Sequence, residues 1–180
     1  MRIFEQLGSW SDVTKPFQRA PVEHWQPNLC GEMDLRIDRN GVWWHEGQPI
    51  RRPGLVRVLA SVLTYEAGQW WLKSPVEQLA IEVDDAPFII TDYTITQAGF
   101  ELTSNIGERI QLDVPWPLTQ DPDGEWRPWI PLHGHIGARL SRSVLLDLVN
   151  QALEQNPEPS TDRLYWSVQG LQLPLGELQH

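Results

Sequence analysis

Two spacings of hydrophobic residues divide the first half of the chain into strands and a helix. Met33, Leu35 and Ile37 alternate with charged residues, which predicts a half-buried strand. Asn40-Gly41 is typical of a tight hairpin turn, so residues 42–45 are expected to return as the next strand. This part of the chain therefore predicts an antiparallel hairpin.

A helical spacing follows. Pro53 suits the first turn of a helix, where its missing N–H is not needed. One buried helix face is predicted from Leu55, Val58, Leu59, Val62 and Leu63. Ala67-Gly68 is expected to end the helix, and residues 69–73 to form a strand.

The second half repeats these signals with more strands. Alternation or β-branched content predicts strands over 79–83, 88–96, 100–104, 110–114 and 165–168. Ser141 is a good N-cap for a second helix. Because strands outnumber helices and do not alternate regularly with them, the pattern predicts an α+β, mostly antiparallel fold.

One unit of the pattern occurs twice in the same order. The first copy has GVW at 41–43, PI at 49–50, a predicted helix from Pro53 and WW at 70–71. The second copy has GEW at 124–126, PL at 131–132, a predicted helix from Ser141 and YW at 165–166. We predict two structurally repeated halves, each a mostly antiparallel sheet or partial barrel with one main helix. The predicted organisation is a peripheral segment over 1–28, a first module over 29–78 and a second over 79–180, with a site at the seam between modules.

Composition narrows the functional classes. The chain has 180 residues, ten tryptophans, one cysteine and a net charge of −10. Residues 1–75 hold 9 Lys and Arg against 8 Asp and Glu, and residues 76–180 hold 5 against 16. An acidic total argues against binding a long nucleic acid, but a few arginines can hold a small anion. No secretory signal or bilayer-spanning apolar run is visible, so we expect a cytoplasmic protein without membrane insertion.

The chain resembles the bacterial family catalogued as domain of unknown function 1285. The resemblance covers PVEHWQPNLCGEMDLRIDRNGVWWHEGQPIRRPGLV (21–56), KSPVEQLAIEVDDAPFII (73–90), LTSNIGERIQLD (102–113), ARLSRSVLLDLV (138–149) and VQGLQLPLG (168–176). It implies a duplicated-domain fold whose C-terminal half is similar to a pleckstrin-homology-type barrel. It also implies a small, nucleotide-like ligand between the domains and a role in signalling, with no catalytic residues to carry over. HGHIG at 133–137 departs from the family's glycine-rich stretch.

Arginines stand at the predicted starts of both helices. Arg51 and Arg52 precede Pro53, where free N–H groups and forked guanidinium donors suit a phosphate or carboxylate. Arg139 and Arg142 occupy the corresponding place in the second half, and Arg36 lies on the preceding strand. The alternative is that Arg51 and Arg52 pair with local acids such as Glu46 or Glu32.

Trp43 and Trp44 are consecutive on a strand and must point to opposite faces. We expect one of them in the core and the other to offer a stacking surface for a ring.

Three other sets of residues are weaker candidates for a catalytic or metal-binding site. Asp84-Asp85 is the best acidic pair, but neighbours on a strand diverge, and a solvated Asp84 beside a turn-capping Asp85 is the alternative. His133 and His135 supply two metal ligands where zinc needs at least a third, and the glycines around them favour a loop. Cys30 is expected to be a small buried hydrophobe.

The sequence thus favours a non-enzymatic cytosolic module that binds a small anionic or nucleotide-like ligand, in sensing or regulation. The ligand residues are predicted to be Arg36, Trp43, Trp44, Arg51, Arg52, Arg139 and Arg142. Two alternatives remain: an enzyme using Asp85, Glu77 and the histidine pair, or a protein–protein adaptor using surface tryptophans. The sequence identifies neither a cofactor nor the oligomeric state.

Overall fold

Residues 12–97, 99–157 and 162–177 are described by a computed structural model, and residues 1–11 of the predicted peripheral segment lie outside them. The chain divides into two units. Unit 1 is Met1–Pro87 with Ile106–Glu108, and unit 2 is Phe88–Asn105 with Arg109–His180. The predicted boundary between 78 and 79 falls inside the last strand of unit 1, because that strand pairs with two strands of the first module.

Unit 1 is one six-stranded sheet with one α-helix. Its elements are a 3-10 turn (Val22–His24), β1 (Leu29–Ile37), β2 (Trp43–His45), β3 (Gln48–Pro49), α1 (Pro53–Ser61), β4 (Leu63–Glu66), β5 (Gln69–Lys73) and β6 (Glu77–Val83). The strand order is β3-β2-β1-β6-β5-β4. Neighbouring strands run antiparallel except β1 and β6, which are parallel because α1 and the β4–β5 hairpin lie between them in the chain.

The first helix is shorter than predicted. It ends at Ser61, and Leu63 begins β4, where it lies opposite Leu72. Residues 62–65 are Val-Leu-Thr-Tyr, a run of side chains that also suits a strand, so tertiary pairing overrides the helical spacing. Ala67 and Gly68 have φ of 52° and 81°, which is the geometry of a two-residue hairpin turn rather than of a helix end.

Buried residues from the sheet and α1 form the core of unit 1. The most deeply buried large side chains are Leu35, Ile37, Trp43, Leu59, Leu63 and Leu72. Arg57 is also buried, and its guanidinium donates to the carbonyl oxygens of Ile106 (3.0 Å) and Lys15 (2.8 Å). These two bonds connect α1 to chain segments distant in sequence.

Unit 2 is a five-stranded sheet with two hairpins and one helix. Its elements are β7 (Phe88–Thr96), β8 (Gly99–Ser104), β9 (Arg109–Leu112), β10 (Leu118–Gln120), β11 (Trp126–Pro128), β12 (Ile130–His133), β13 (Ile136–Leu140), α2 (Arg142–Gln155), β14 (Arg163–Val168) and β15 (Leu171–Glu177). The main sheet has the order β12-β13-β7-β8-β9, in which β7 and β13 are parallel. As predicted, Ser141 caps α2, and its hydroxyl accepts from the amide of Val144.

Four aromatic rings fill the core of unit 2. The ring of Phe100 lies 5.2 Å from that of Trp166, 5.7 Å from that of Tyr93 and 6.3 Å from that of Trp116, centroid to centroid. The indole N–H of Trp116 donates to the carbonyl oxygen of Pro174 at 2.8 Å. The equally buried indole N–H of Trp166 has no hydrogen-bond partner among the described residues.

This difference between two buried tryptophans gives a matched test. We expect Trp116→Phe to lower the free energy of unfolding by about 1–2 kcal/mol more than Trp166→Phe, because only the first leaves a carbonyl without its donor. Urea unfolding followed by circular dichroism measures both variants. Equal losses would contradict the assignment of the hydrogen bond.

Two turns, one in each unit, share the same pattern of hydrogen bonds. The carboxylate of Asp38 accepts from backbone amides two and four residues later, at 2.8 and 3.0 Å. That of Asp121 accepts from amides at the same two spacings, at 2.9 and 3.0 Å. Each turn continues with a glycine of positive φ, Gly41 (73°) or Gly124 (84°), and a tryptophan two residues after it. The correspondence favours duplication of one module, which stays a prediction.

The α+β class with two sheet halves, each carrying one helix, is confirmed. The charge contrast between the halves is smaller than the linear sequence indicates. Unit 1 has 9 Lys and Arg against 13 Asp and Glu, and unit 2 has 5 against 11, giving net charges of −4 and −6. The four acids of β6 and the loop after it, together with Glu108, account for the change, because they belong to unit 1. Across the described residues, neither helix has the length and apolar character to cross a membrane.

Candidate functional site

Arg51 and Arg52 lie between β3 and the first turn of α1, and both are exposed. Within residues 12–97, 99–157 and 162–177, neither side chain has a hydrogen bond or ion pair. Arg52 is the N-cap residue of α1, but no side chain caps the helix there, and its first turn contains no acidic residue. Two free guanidinium groups therefore stand at a helix end that already carries a partial positive charge.

Arg36 is engaged by a carboxylate of its own unit. Its Nε and Nη2 donate to Oδ1 and Oδ2 of Asp84 at 2.7 and 2.5 Å, a forked pair between the parallel strand β1 and the residue after β6. Because both carboxylate oxygens of Asp84 accept hydrogen bonds from Arg36, Asp84 is not the solvated residue that the sequence led us to expect. A ligand anion at Arg36 would have to compete with this carboxylate.

The Arg36–Asp84 pair predicts a pH dependence of stability. The hydrogen bonds from Arg36 hold the pKa of Asp84 below its ordinary value, against the opposing effect of burial. A depressed folded-state pKa gives stabilisation that is present above the unfolded pKa, near 3.9, and is lost as the pH falls through the folded value. We expect Asp84→Asn to be less stable than wild type at pH 7, with a gap that closes below about pH 4.

Urea unfolding between pH 7 and pH 3 measures that gap. Glu32→Gln, which neutralises an exposed carboxylate on β1, is the matched control and should leave the profile unchanged. A gap for Asp84→Asn that stays constant down to pH 3 would rule out the ion pair as its origin.

The two tryptophans of β2 point to opposite faces, as predicted. Trp43 is 1% exposed and belongs to the core, so it is not available to a ligand. Trp44 is half-buried, and its indole Nε1 donates to Oδ2 of Asp38 at 2.9 Å. It lies opposite Arg36 on β1 and Pro49 on β3. Only the ring surface of Trp44 is left for stacking.

Arg139, on β13, is 6% exposed and is saturated by its own unit. Its Nη1 donates to Thr119 Oγ1 (2.8 Å) and to the carbonyl oxygens of Thr119, Arg127 and Pro128 (3.1–3.3 Å). Its Nη2 donates to the carbonyl oxygen of Gln120 at 3.2 Å. A ligand at Arg139 would have to replace these bonds.

Arg142 opens α2 and is exposed, without a hydrogen bond or ion pair to any described residue. The predicted ligand residues thus fall into three groups. Arg51, Arg52 and Arg142 are free of partners among the described residues, whereas Arg36, Arg139 and Trp43 are committed to the fold. Trp44 is committed through its indole N–H and keeps part of its ring exposed. Arg51 and Arg52 are neighbours in unit 1 and Arg142 belongs to unit 2; a site that combines them stays a prediction.

The histidine pair and Cys30, the weaker candidates, lie on strands or in the turn between two strands. His133 ends β12, His135 lies in the two-residue turn before β13, and each has an interaction partner. Cys30 is exposed on β1 instead of buried, and the side-chain amide of Gln78 donates to its Sγ at 3.3 Å. Among the residues that the structure describes, no three His, Cys, Asp or Glu side chains are grouped so that they could hold a metal ion.

Sequence reasoning missed the structural roles of two buried arginines. Arg57 and Arg139 both face backbone carbonyls contributed by distant segments, so no local pattern identifies them. The one available signal is position: Arg57 falls on the apolar face of α1, next to Val58, where an unpaired charge is not tolerated.

Comparison with known proteins shows similarity to one family of unknown function. It matches the domain of unknown function (DUF1285), N-terminal domain, over residues 20–86. It is similar to the crystal structure of a DUF1285 family protein from Silicibacter pomeroyi DSS-3, with a TM-score of 0.75 and 28% identity over 98% of this chain and 95% of that one. No curated protein matches it.

A second DUF1285 family protein, from Shewanella baltica OS155, has a TM-score of 0.54 and 22% identity over 66% of this chain and 91% of that one, which supports the fold alone. The resemblance to the DUF1285 family that the sequence indicates is therefore confirmed, and residues 20–86 are the part that matches the family's N-terminal domain.

Proposed function

We propose that this protein is a non-enzymatic module that binds a small anionic ligand, with Arg51 and Arg52 as its anion-binding residues. The observation that carries the proposal is the pair itself. Two adjacent, exposed guanidinium groups have no partner among the described residues and stand at an uncapped helix start. Two like charges beside a positive helix end repel one another, and a bound phosphate or carboxylate relieves that repulsion.

The start of α2 shows what a helix end satisfied by its own chain looks like. There the Ser141 hydroxyl accepts from the Val144 amide, so the first turn already has an acceptor. At α1 the residue in the same position is Arg52, whose side chain has no acceptor, and the Leu55 amide donates to the Arg52 carbonyl oxygen at 3.0 Å instead. Because Pro53 has no N–H, the Gly54 amide and the two guanidinium groups are the donors that this helix start leaves for an external acceptor among the described residues.

The chemistry of the pair favours oxyanions with more than one acceptor oxygen. Each guanidinium presents its N–H groups in a planar fork that matches a phosphate or carboxylate. Trp44 lies on β2 opposite Pro49, two residues before Arg51, with its N–H already used by Asp38. A nucleotide-like ligand would place its phosphate at the arginines and its base on the indole ring, which suits a sensor in signalling or regulation.

A thermal-shift panel tests the proposal with inorganic phosphate, pyrophosphate and adenosine triphosphate. A ligand present at 100 times its Kd stabilises the native state by about 2.7 kcal/mol, which should raise the Tm by about 5 °C or more. Loss of one charge-assisted contact in Arg52→Ala should weaken binding by about tenfold or more.

Arg109→Ala is the matched control, since it removes one positive charge from a side chain that is 75% exposed and pairs with Glu101. It should bind like wild type. The proposal fails if none of the three probes shifts the wild-type Tm, or if Arg52→Ala and Arg109→Ala behave alike.

A protein–protein adaptor is the second candidate, favoured by exposed apolar side chains in unit 2. Leu146 and Leu153, seven residues apart on α2, are 56% and 40% exposed, and Trp126 and Tyr165 are also exposed. Capture of a partner that is lost in Leu146→Asp, with no response to the three anions, would favour this function over ligand binding.

A further inference from the structure

Residues 117–129 form a strap that is separate from the main sheet of unit 2. Its two strands, β10 and β11, pair only with each other. The amide of Trp129 donates to the carbonyl oxygen of Pro117 at 2.9 Å and closes the base of the strap. At the tip, the carboxylate of Asp121 binds two backbone amides and the Nε of Arg127 (2.7 Å). Base and tip make the strap a compact closed loop.

One guanidinium group links this strap to the five-stranded sheet. Arg139 is the fourth of the five residues of β13, and its acceptors come from both strap strands: Thr119 and Gln120 on one side, Arg127 and Pro128 on the other. Its Nη1 alone lies within hydrogen-bond distance of acceptors on both strands, and Nη2 adds a bond to the carbonyl oxygen of Gln120. The planar guanidinium therefore joins both strap strands to β13.

The ring of Trp129 completes the closure. It stacks on the guanidinium of Arg139, with 5.2 Å between the guanidinium carbon and the ring centroid. The ring fits because residue 137 is glycine: a Cβ there would lie 2.4 Å from Cε2 of Trp129. Gly137 of β13 thus leaves room for the Trp129 ring, and Arg139 of the same strand places its guanidinium against that ring.

We propose that the strap is a conformational device: it opens as one unit about its 117–129 base, and Arg139 sets how often it does so. Opening breaks the Arg139 bonds and the packing of both strap strands against β15, and it uncovers Trp129, while β13 keeps its backbone pairing with β7 and β12. The main sheet therefore survives an opening that releases the strap, and unit 2 has a second, less protected state short of unfolding.

Native-state hydrogen exchange of the wild-type protein in low concentrations of urea tests the opening. The Gly124 and Trp129 amides should exchange through an event with a small dependence on urea, while those of Ile90 and Leu102 should wait for full unfolding of the unit. Strap amides that exchange with the same urea dependence as Ile90 and Leu102 would overturn the proposal.

Arg139→Lys tests the control by the guanidinium. It keeps the charge but loses the Nη2 bond to Gln120 and the planar group that stacks on Trp129, so strap amides should exchange at least about tenfold faster with Ile90 and Leu102 unchanged. Thr119→Val removes only the side-chain acceptor at 2.8 Å and should give a smaller increase at the same amides; it serves as the readout if the lysine variant does not fold. An equal increase throughout unit 2, or none in the strap, would contradict a separate device.

Discussion

Trp43→Ala is expected to lower the free energy of unfolding of unit 1 by about 3–4 kcal/mol. The side chain is 1% exposed, and truncating a buried tryptophan removes its transfer free energy and leaves a cavity. The loss is smaller than for a hydrogen-bonded tryptophan, because the buried indole N–H of Trp43 has no partner in the described structure. Removing the side chain also removes the free-energy cost of burying that unpaired donor. Urea unfolding followed by circular dichroism at 222 nm measures the change.

Trp44→Ala is the matched control on the same strand. It removes a half-buried ring and one hydrogen bond to Asp38, for an expected loss of about 1–2 kcal/mol. Equal losses for the two variants, or a larger loss at Trp44, would contradict the assignment of Trp43 to the core.

Phe100→Ala should have the largest effect in unit 2, at about 4 kcal/mol. Its ring is 1% exposed and contacts the rings of Tyr93, Trp116 and Trp166, so truncation leaves three aromatic groups around a cavity. The same unfolding measurement applies.

Phe100→Leu keeps most of the side-chain volume and should lower the free energy of unfolding by only about 1.5 kcal/mol. Comparing it with Phe100→Ala separates the loss of packed volume from the loss of the aromatic ring. A loss below about 1 kcal/mol for Phe100→Ala would mean that the four rings do not form the core of unit 2.

Features that depend on near neighbours in the chain were predictable from sequence. The alternation at Met33, Leu35 and Ile37 marks β1, and Ser141 caps the second helix, because each signal rests on residues a few positions apart. The end of α1 was predicted wrongly. Its apolar spacing continues to Leu63, but pairing of Leu63 with Leu72 on β5 turns that stretch into a strand.

Features that depend on distant parts of the chain were not predictable. Arg36 and Asp84 are 48 residues apart and meet because β1 and β6 are parallel. Arg139 meets the strap carbonyls because β13 passes the β10–β11 hairpin. A sequence shows an arginine but not whether backbone carbonyls already surround it, so the candidate site could be proposed from sequence while its free and committed members could not be told apart.

We expect Arg51, Arg52 and the first turn of α1 to bind an anion. Titration of ¹⁵N-labelled protein with pyrophosphate, followed by amide chemical shifts, measures this binding. Saturable shifts are expected to concentrate at Arg51, Arg52, Gly54 and Leu55 and to be lost in Arg51→Ala/Arg52→Ala. Shifts that do not saturate, or that concentrate elsewhere and persist in the double variant, would contradict it.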